Sequence, residues 1–273
     1  MVIVDGKVLA QKVLSQIKTQ LNGRRISIAA VWAGDNLATG RFVEMKKKYA
    51  ESVSMKMAVY RLDSEDALTS KVRELAEDKN VTGIIVELPL PPGYNRDNLL
   101  KLIPQDKDVD VLNGSALLPP AVGALKTLFE EYKIEPKGKT AAVFGQSILI
   151  GKPVSHWLES QGANVFRIDE NTENAEGLCL QSDIVISGVG KPNLINGNMI
   201  KDGTVVVDFG FSARGGSAFG GENKEGEKVA GDVDFDSVAP KASLITPVPG
   251  GMGPIVIASF LENALALYLA SAR

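Results

Sequence analysis

The stretch Thr140-Ala-Ala-Val-Phe-Gly145-Gln-Ser147-Ile-Leu-Ile-Gly151-Lys-Pro153-Val154 decides the architecture. An apolar run from Thr140 to Phe144 passes straight into a glycine-bearing loop, and helical spacing follows from Val154 to Leu158. A strand, a tight turn and a helix N-terminus in that order present free backbone N–H groups to a pyrophosphate. The loop reads Gly145-x-Ser147-x-x-x-Gly151-x-Pro153, with Ser147 where GxGxxG has its second glycine; such a loop also occurs as a plain tight turn. The next predicted strand, Ala163 to Ile168, ends at Asp169-Glu170. An acid there, ~20 residues past the loop, either takes the ribose hydroxyls of a dinucleotide or caps the loop. Ser187-Gly188-Val189-Gly190 and Asp208-Phe209-Gly210 follow two further strands. Their glycines either let backbone approach a flat ring or merely turn the chain.

Outward from this unit, strand and helix patterns alternate. Toward the N-terminus, Val8 to Leu21 predicts a helix entered at Asp5, Ile26 to Val31 a buried strand, and Phe42, Met45 and Tyr49 a helix. Met57 to Leu62 reads as a strand, Leu68, Val72 and Leu75 as a helix, Gly83 to Leu88 as a strand, and Asn95 to Ile103 as a short helix. Beyond Pro119-Pro120 come a helix over Ala124 to Tyr132, strands over Asp183 to Ser187 and Thr204 to Asp208, and a long apolar helix from Ile255 to Leu269. Gly215 to Gly221 reads as a flexible hairpin or loop. The expected fold is α/β with parallel sheets in two domains: an N-terminal three-layer substrate domain (1–117 plus 252–273) and a Rossmann-like nucleotide-binding domain (118–251), with a ligand cleft between them.

Composition narrows the function. Thirty basic against 33 acidic residues leave a net charge of −3, with no basic excess for nucleic acid. The single cysteine, Cys179, excludes an internal disulfide and a multi-cysteine metal site, and the single histidine, His156, excludes a histidine-cluster metal centre. The start of the chain lacks the features of a secretory signal, and Glu262 and Asn263 interrupt the apolar closing helix, so a cytoplasmic protein without a membrane anchor is expected.

Four segments then carry a resemblance. Gly83-Ile-Ile-Val-Glu-Leu-Pro-Leu-Pro91, Lys107-Asp-Val-Asp110, the Gly145–Pro153 loop and Thr246-Pro-Val-Pro-Gly-Gly-Met-Gly-Pro254 occur in this order. The chain resembles the bifunctional methylenetetrahydrofolate dehydrogenase/methenyltetrahydrofolate cyclohydrolase (FolD) family. That resemblance implies a homodimer. It implies oxidation of 5,10-methylenetetrahydrofolate with NAD or NADP, then hydrolysis of the methenyl product to 10-formyltetrahydrofolate. The family's Tyr-x-x-x-Lys helix is Phe42-Val-Glu-Met-Lys46 here, so Lys46 inherits the role of activating water. Read without the resemblance, Lys46-Lys47-Lys48 is a solvated basic face. By the same carry-over Phe42 stacks on the folate rings, Asp110 binds the pterin amino and ring N–H groups, and Pro249, Gly250 and Gly251 line the junction of folate and nicotinamide.

The sequence also departs from the family. Glu87 replaces the glutamine beside the lysine, and a carboxylate there favours the ammonium form, a poor general base. The expectation is a weakened cyclohydrolase step; the rival is that Glu87 has itself become the base. Val111 stands where Asp-Val-Asp-Gly has glycine, so if that position needs a positive φ, either the valine is strained or the turn is rebuilt. The cleft loop is reduced to Leu118-Pro-Pro-Ala-Val-Gly123. Gln146 replaces the arginine of NADP users, and Glu170 stands beside Asp169 in place of a serine, so NAD is expected over NADP. Two alternatives remain: another two-domain NAD-dependent dehydrogenase of the shikimate type, or a non-catalytic relative that binds folate or nucleotide.

Overall fold

The computed structural model describes residues 1–34, 37–213 and 229–271. The predicted glycine-rich loop at 215–221, and Asp35 and Asn36, lie outside the described residues. In chain order the first elements are β1 (Val2–Ile3), α1 (Gly6–Leu21), β2 (Ser27–Ala33), α2 (Leu37–Ser52), β3 (Lys56–Leu62), α3 (Glu65–Glu77), β4 (Gly83–Val86) and α4 (Arg96–Leu100). There follow α5 (Pro120–Tyr132), β5 (Thr140–Phe144), α6 (Gly151–Ser160), β6 (Asn164–Ile168), α7 (Ala175–Gln181), β7 (Ile184–Ser187) and β8 (Val205–Asp208). The last are β9 (Ser212–Ala213), β10 (Val229–Ala230), α8 (Phe235–Val238), β11 (Leu244–Ile245) and α9 (Met252–Ser271).

These elements form two compact units, residues 11–120 with 257–273, and residues 1–10 with 121–256. These units divide the chain differently from the expected domains: residues 1–10 and 252–256 fall in the unit that carries the glycine loop, and residues 118–120 in the other. For residues 1–10 the cause is β1, which pairs in parallel with β11 at Val2–Leu244 and Ile3–Ile245. Two-residue strands carry no periodicity, so neither was predicted.

In the unit of residues 11–120 and 257–273, β3, β2 and β4 form a parallel sheet in that order. Ile28, Ala30, Val31, Ile84 and Val86 bury its interior. Leu68, Val72 and Leu75 bury one face of α3, which Ser64 caps by accepting the Ala67 N–H at 3.2 Å. The other unit holds a six-stranded sheet, order β1-β11-β8-β7-β5-β6, parallel throughout. Its core includes Leu125, Leu128, Val143, Val154, Leu158 and Ile186 on one face, and Ala142, Phe144, Val185 and Val206 among a second cluster. α9 is long and apolar enough to cross a bilayer, but 67% of its most apolar window is buried, as in a core helix.

Candidate active site

The unit of residues 11–120 brings together Phe42, Lys46 and Glu87. Phe42 and Lys46 lie one helical turn apart on α2, so both project from one face. Glu87 directly follows β4, and its N–H donates to Val31 O at 2.9 Å, which aligns it with the end of β2. The Lys46 ammonium donates to Glu87 Oε1 at 2.8 Å and to Oε2 at 3.0 Å. The two side chains are only 7% and 5% exposed. The Phe42 ring centroid lies 5.0 Å from the ammonium and that of Phe260 5.4 Å. A carboxylate and two ring faces thus surround one buried ammonium.

Asp110 is carried by a segment that lengthens the sheet beside β4. Ile84 N donates to Lys107 O at 2.8 Å, and Ile84 pairs in parallel with Asp108. Lys107 caps the end of α3, its ammonium donating to Leu75 O, Ala76 O and Asp78 O at 3.1, 2.8 and 2.7 Å. Its role is therefore anchorage at a helix C-terminus. Asp110 and Glu87 leave the ends of adjacent parallel segments. Burial pushes the Asp110 carboxyl up to about 7; Lys46 opposes the shift, while Glu87 and Asp108 add to it. Asp110 nonetheless keeps partial solvent contact. Val111, next in the chain, has φ +59°, so the strain expected at this position is present.

Two residues of α9 belong to this site and were missed from sequence. Phe260, 1% exposed, supplies the second ring against Lys46. Asn263, three residues on, donates through Nδ2 to Val109 O and to Leu118 O, both at 2.9 Å. The one available signal was the polar pair Glu262-Asn263 inside an apolar helix.

The other unit carries the glycine loop. Gly145 follows β5 with φ +85°, and a β-carbon there would stand 3.0 Å from Gly188 O. At Gly151, the first residue of α6, a β-carbon would fall 1.7 Å from Gly145 O. Only glycine allows this closeness, which leaves a backbone-lined cradle at the end of β5. Ser147 Oγ accepts the Ile150 N–H at 3.2 Å, and Ser147 O accepts the Lys152 N–H at 3.0 Å, closing the turn into α6. Gln146 turns back, donating to Val143 O at 3.1 Å. Asp169 and Glu170 are exposed after β6. Asp169 Oδ1 accepts from Asn171 N at 3.0 Å and Thr172 Oγ1 at 2.9 Å, so the capping arrangement is present.

A buried acid pair, half of it missed from sequence, organises the neighbouring loops. Asp232 accepts from Ser187 Oγ at 2.7 Å and from Val189 N and Lys191 N, both at 2.8 Å, shaping the turn that holds Gly188 and Gly190. Asp208, at the end of β8, accepts from Gly210 N at 2.7 Å and Val233 N at 3.0 Å. Burial first, then the charge of Asp232, pushes the Asp208 carboxyl up to about 7. The role of Asp208 in this geometry is to join strand-end loops. Pro249 is exposed, while Gly250 O accepts the Gly6 N–H at 2.9 Å and Gly251 N donates to Pro247 O at 2.8 Å, seating this turn on the start of α1. Among the described residues no cluster of His, Cys, Asp and Glu could hold a metal ion.

Comparison with known proteins agrees with both halves. Residues 4–110 match the catalytic-domain model of tetrahydrofolate dehydrogenase/cyclohydrolase, and residues 119–272 match its NAD(P)-binding-domain model. The bifunctional protein FolD of Campylobacter hominis is 34% identical over 97% of this chain and 96% of its own. The Trypanosoma brucei methylenetetrahydrofolate dehydrogenase-cyclohydrolase, solved with NADP and an inhibitor, superimposes with a TM-score of 0.92 at 28% identity, over 100% of this chain and 98% of that one. Shikimate dehydrogenase from Aquifex aeolicus shares only the fold, at a TM-score of 0.51 and 15% identity over 92% of this chain and 99% of that one. With both domain models matched in order along one polypeptide, the chain belongs to the tetrahydrofolate dehydrogenase/cyclohydrolase family.

Proposed function

We propose that this protein oxidises 5,10-methylenetetrahydrofolate to the 5,10-methenyl cation, with NAD favoured over NADP, and hydrolyses that cation slowly to 10-formyltetrahydrofolate. The observation that carries the uneven balance is the buried, two-pronged Lys46–Glu87 pair. Water attacking the methenyl carbon must lose a proton to a group with a free lone pair. Lys46 as an ammonium has none, and two of its three N–H bonds are committed to Glu87. Oxidation asks less of the pair, because hydride leaves the substrate without a proton being removed.

Phe42 offers a ring face for the folate system. Asp110, in its ionised form, is suited to accept two adjacent pterin N–H groups. The close-packed glycine cradle of Gly145, Gly151 and Gly188 fits a dinucleotide, with Ser147 at the mouth of α6. When bound, the nicotinamide supplies the hydride acceptor. Pro249, Gly250, Gly251, Gly190 and Gly210 stand at the neighbouring strand-end turns. The uncharged Gln146 and the exposed carboxylates of Asp169 and Glu170 support NAD, since a 2′-phosphate meets repulsion there and a free ribose diol does not. On this reading the protein is a cytoplasmic homodimer of one-carbon metabolism whose product serves purine biosynthesis.

The test is to supply methylenetetrahydrofolate with NAD and, separately, NADP, and to follow methenyl formation and then its decay. Rapid NAD-linked formation with slow decay supports the proposal. A clear NADP preference overturns the cofactor assignment, and no oxidation with either cofactor overturns the activity.

A further inference from the structure

The segment 109–118 carries Asp110 and, beside it, a β-branched residue in the left-handed region. A side chain such as valine at φ +59° is held there only by what surrounds it. The surroundings are specific. Asn113 N donates to Asp108 Oδ2 at 2.6 Å, and Asn113 Nδ2 donates to Ile103 O at 2.9 Å, which folds the middle of the segment inward. Its two ends are gathered by one amide, Asn263 Nδ2, which donates one hydrogen to Val109 O and the other to Leu118 O. Asn263 is buried, 7% exposed, so these two carbonyls are its partners inside the protein.

We propose that Asn263 is a positioning residue for the folate site, tying both ends of 109–118 so that Asp110 stays beside the Lys46–Glu87 pair against the backbone strain at Val111. The residue type follows from the task. Two carbonyls need two donors on one planar group, which asparagine supplies and aspartate does not. Helix spacing adds a second link, since Phe260 lies one turn earlier on α9 and packs on Lys46. One buried helix face therefore contacts the lysine and the Asp110 segment together. The inference rests on the folate reading for its kinetic consequence but not for the tether itself.

The experiment has two arms on the full-length protein. In the kinetic arm, Asn263→Ala raises the KM for methylenetetrahydrofolate about tenfold while the KM for NAD changes less than about twofold. Adding Val111→Gly, which removes the strain the tether opposes, recovers a substantial part of that loss, measured against Val111→Gly alone. In the second arm, hydrogen exchange of Asn263→Ala speeds up in 109–118 and not in β2, and Val111→Gly slows it again. If Asn263→Ala does not fold, Asn263→Ser, which keeps one donor, is read in the same way. An unchanged folate KM, an equal rise in both KM values, or exchange that rises throughout the unit overturns the proposal. If the wild-type protein oxidises no methylenetetrahydrofolate, the folate reading fails, and the exchange arm still decides the tether.

Discussion

Lys46 and Glu87 meet through both carboxylate oxygens, at 2.8 and 3.0 Å, with their side chains only 7% and 5% exposed. A pair this buried is costly to break from one side, because the partner left behind is an uncompensated charge. The pair therefore constrains both the chemistry and the stability of the unit.

Glu87→Gln is expected to release Lys46 from its carboxylate and raise methenyl hydrolysis about tenfold, with oxidation changed much less. Lys46→Met is expected to lower stability by about 3–5 kcal/mol by stranding Glu87, and Lys46→Met combined with Glu87→Gln to recover most of it. Stopped-flow absorbance and denaturant titration read the two effects. Should Glu87→Ala abolish hydrolysis while Lys46→Ala spares it, Glu87 is the base instead.

Phe260→Leu removes one of the two ring faces from the Lys46 ammonium. The expected loss is about 1–2 kcal/mol of stability, larger in the wild type than in a Lys46→Met background. A double-mutant cycle measures the difference. Equal losses in the two backgrounds would show that Phe260 only fills space.

Cofactor choice is expected to respond to the charge beyond β6. Glu170→Ser with Gln146→Arg removes one carboxylate and adds a guanidinium, shifting kcat/KM toward NADP by about tenfold or more. Initial rates with both cofactors test this; an unchanged ratio means that the 2′-position is read elsewhere.

The pH dependence of stability carries a definite sign. Burial, and then the charge of Asp232, push the Asp208 carboxyl of the folded chain up to about 7, from the usual carboxylate value of about 4. Between these values the folded chain holds a proton that the unfolded chain has released, so stability declines as pH rises from about 4 to about 7 and is flat above. The decline is at most about 4 kcal/mol for this group. Asp110 adds in the same direction, less strongly because it keeps solvent contact. Asp183, held below the usual carboxylate range first by its bond from Lys201, acts with the opposite sign and at lower pH. Denaturant unfolding across this range checks the slope, and Asp208→Asn is expected to flatten it.

Asp110 is also expected to bind folate best when ionised. The KM for methylenetetrahydrofolate should therefore fall as pH rises through about 7. A pH-independent KM would remove Asp110 from substrate recognition.

The sequence by itself determined the alternation of elements, the glycine loop at the end of β5 and the entry of α1 at Asp5, whose Oδ1 accepts the Lys7 and Val8 N–H groups at 3.0 and 3.1 Å. These are local matters, settled by side-chain period, caps and turns among near neighbours in the chain. The strain at Val111 was also legible, because one residue type was out of place in a recognisable turn. Tertiary structure alone decided which distant groups would meet. Asn263 reaches a carbonyl 154 residues away, and Asp232 joins a hydroxyl 45 residues away. A single polar residue has no period, and α9 is apolar on nearly every side, so nothing in its pattern singles out Phe260 as the residue that faces a lysine. The domain boundary moved for the same reason: two-residue strands are selected by the sheet edge they complete rather than by their own composition.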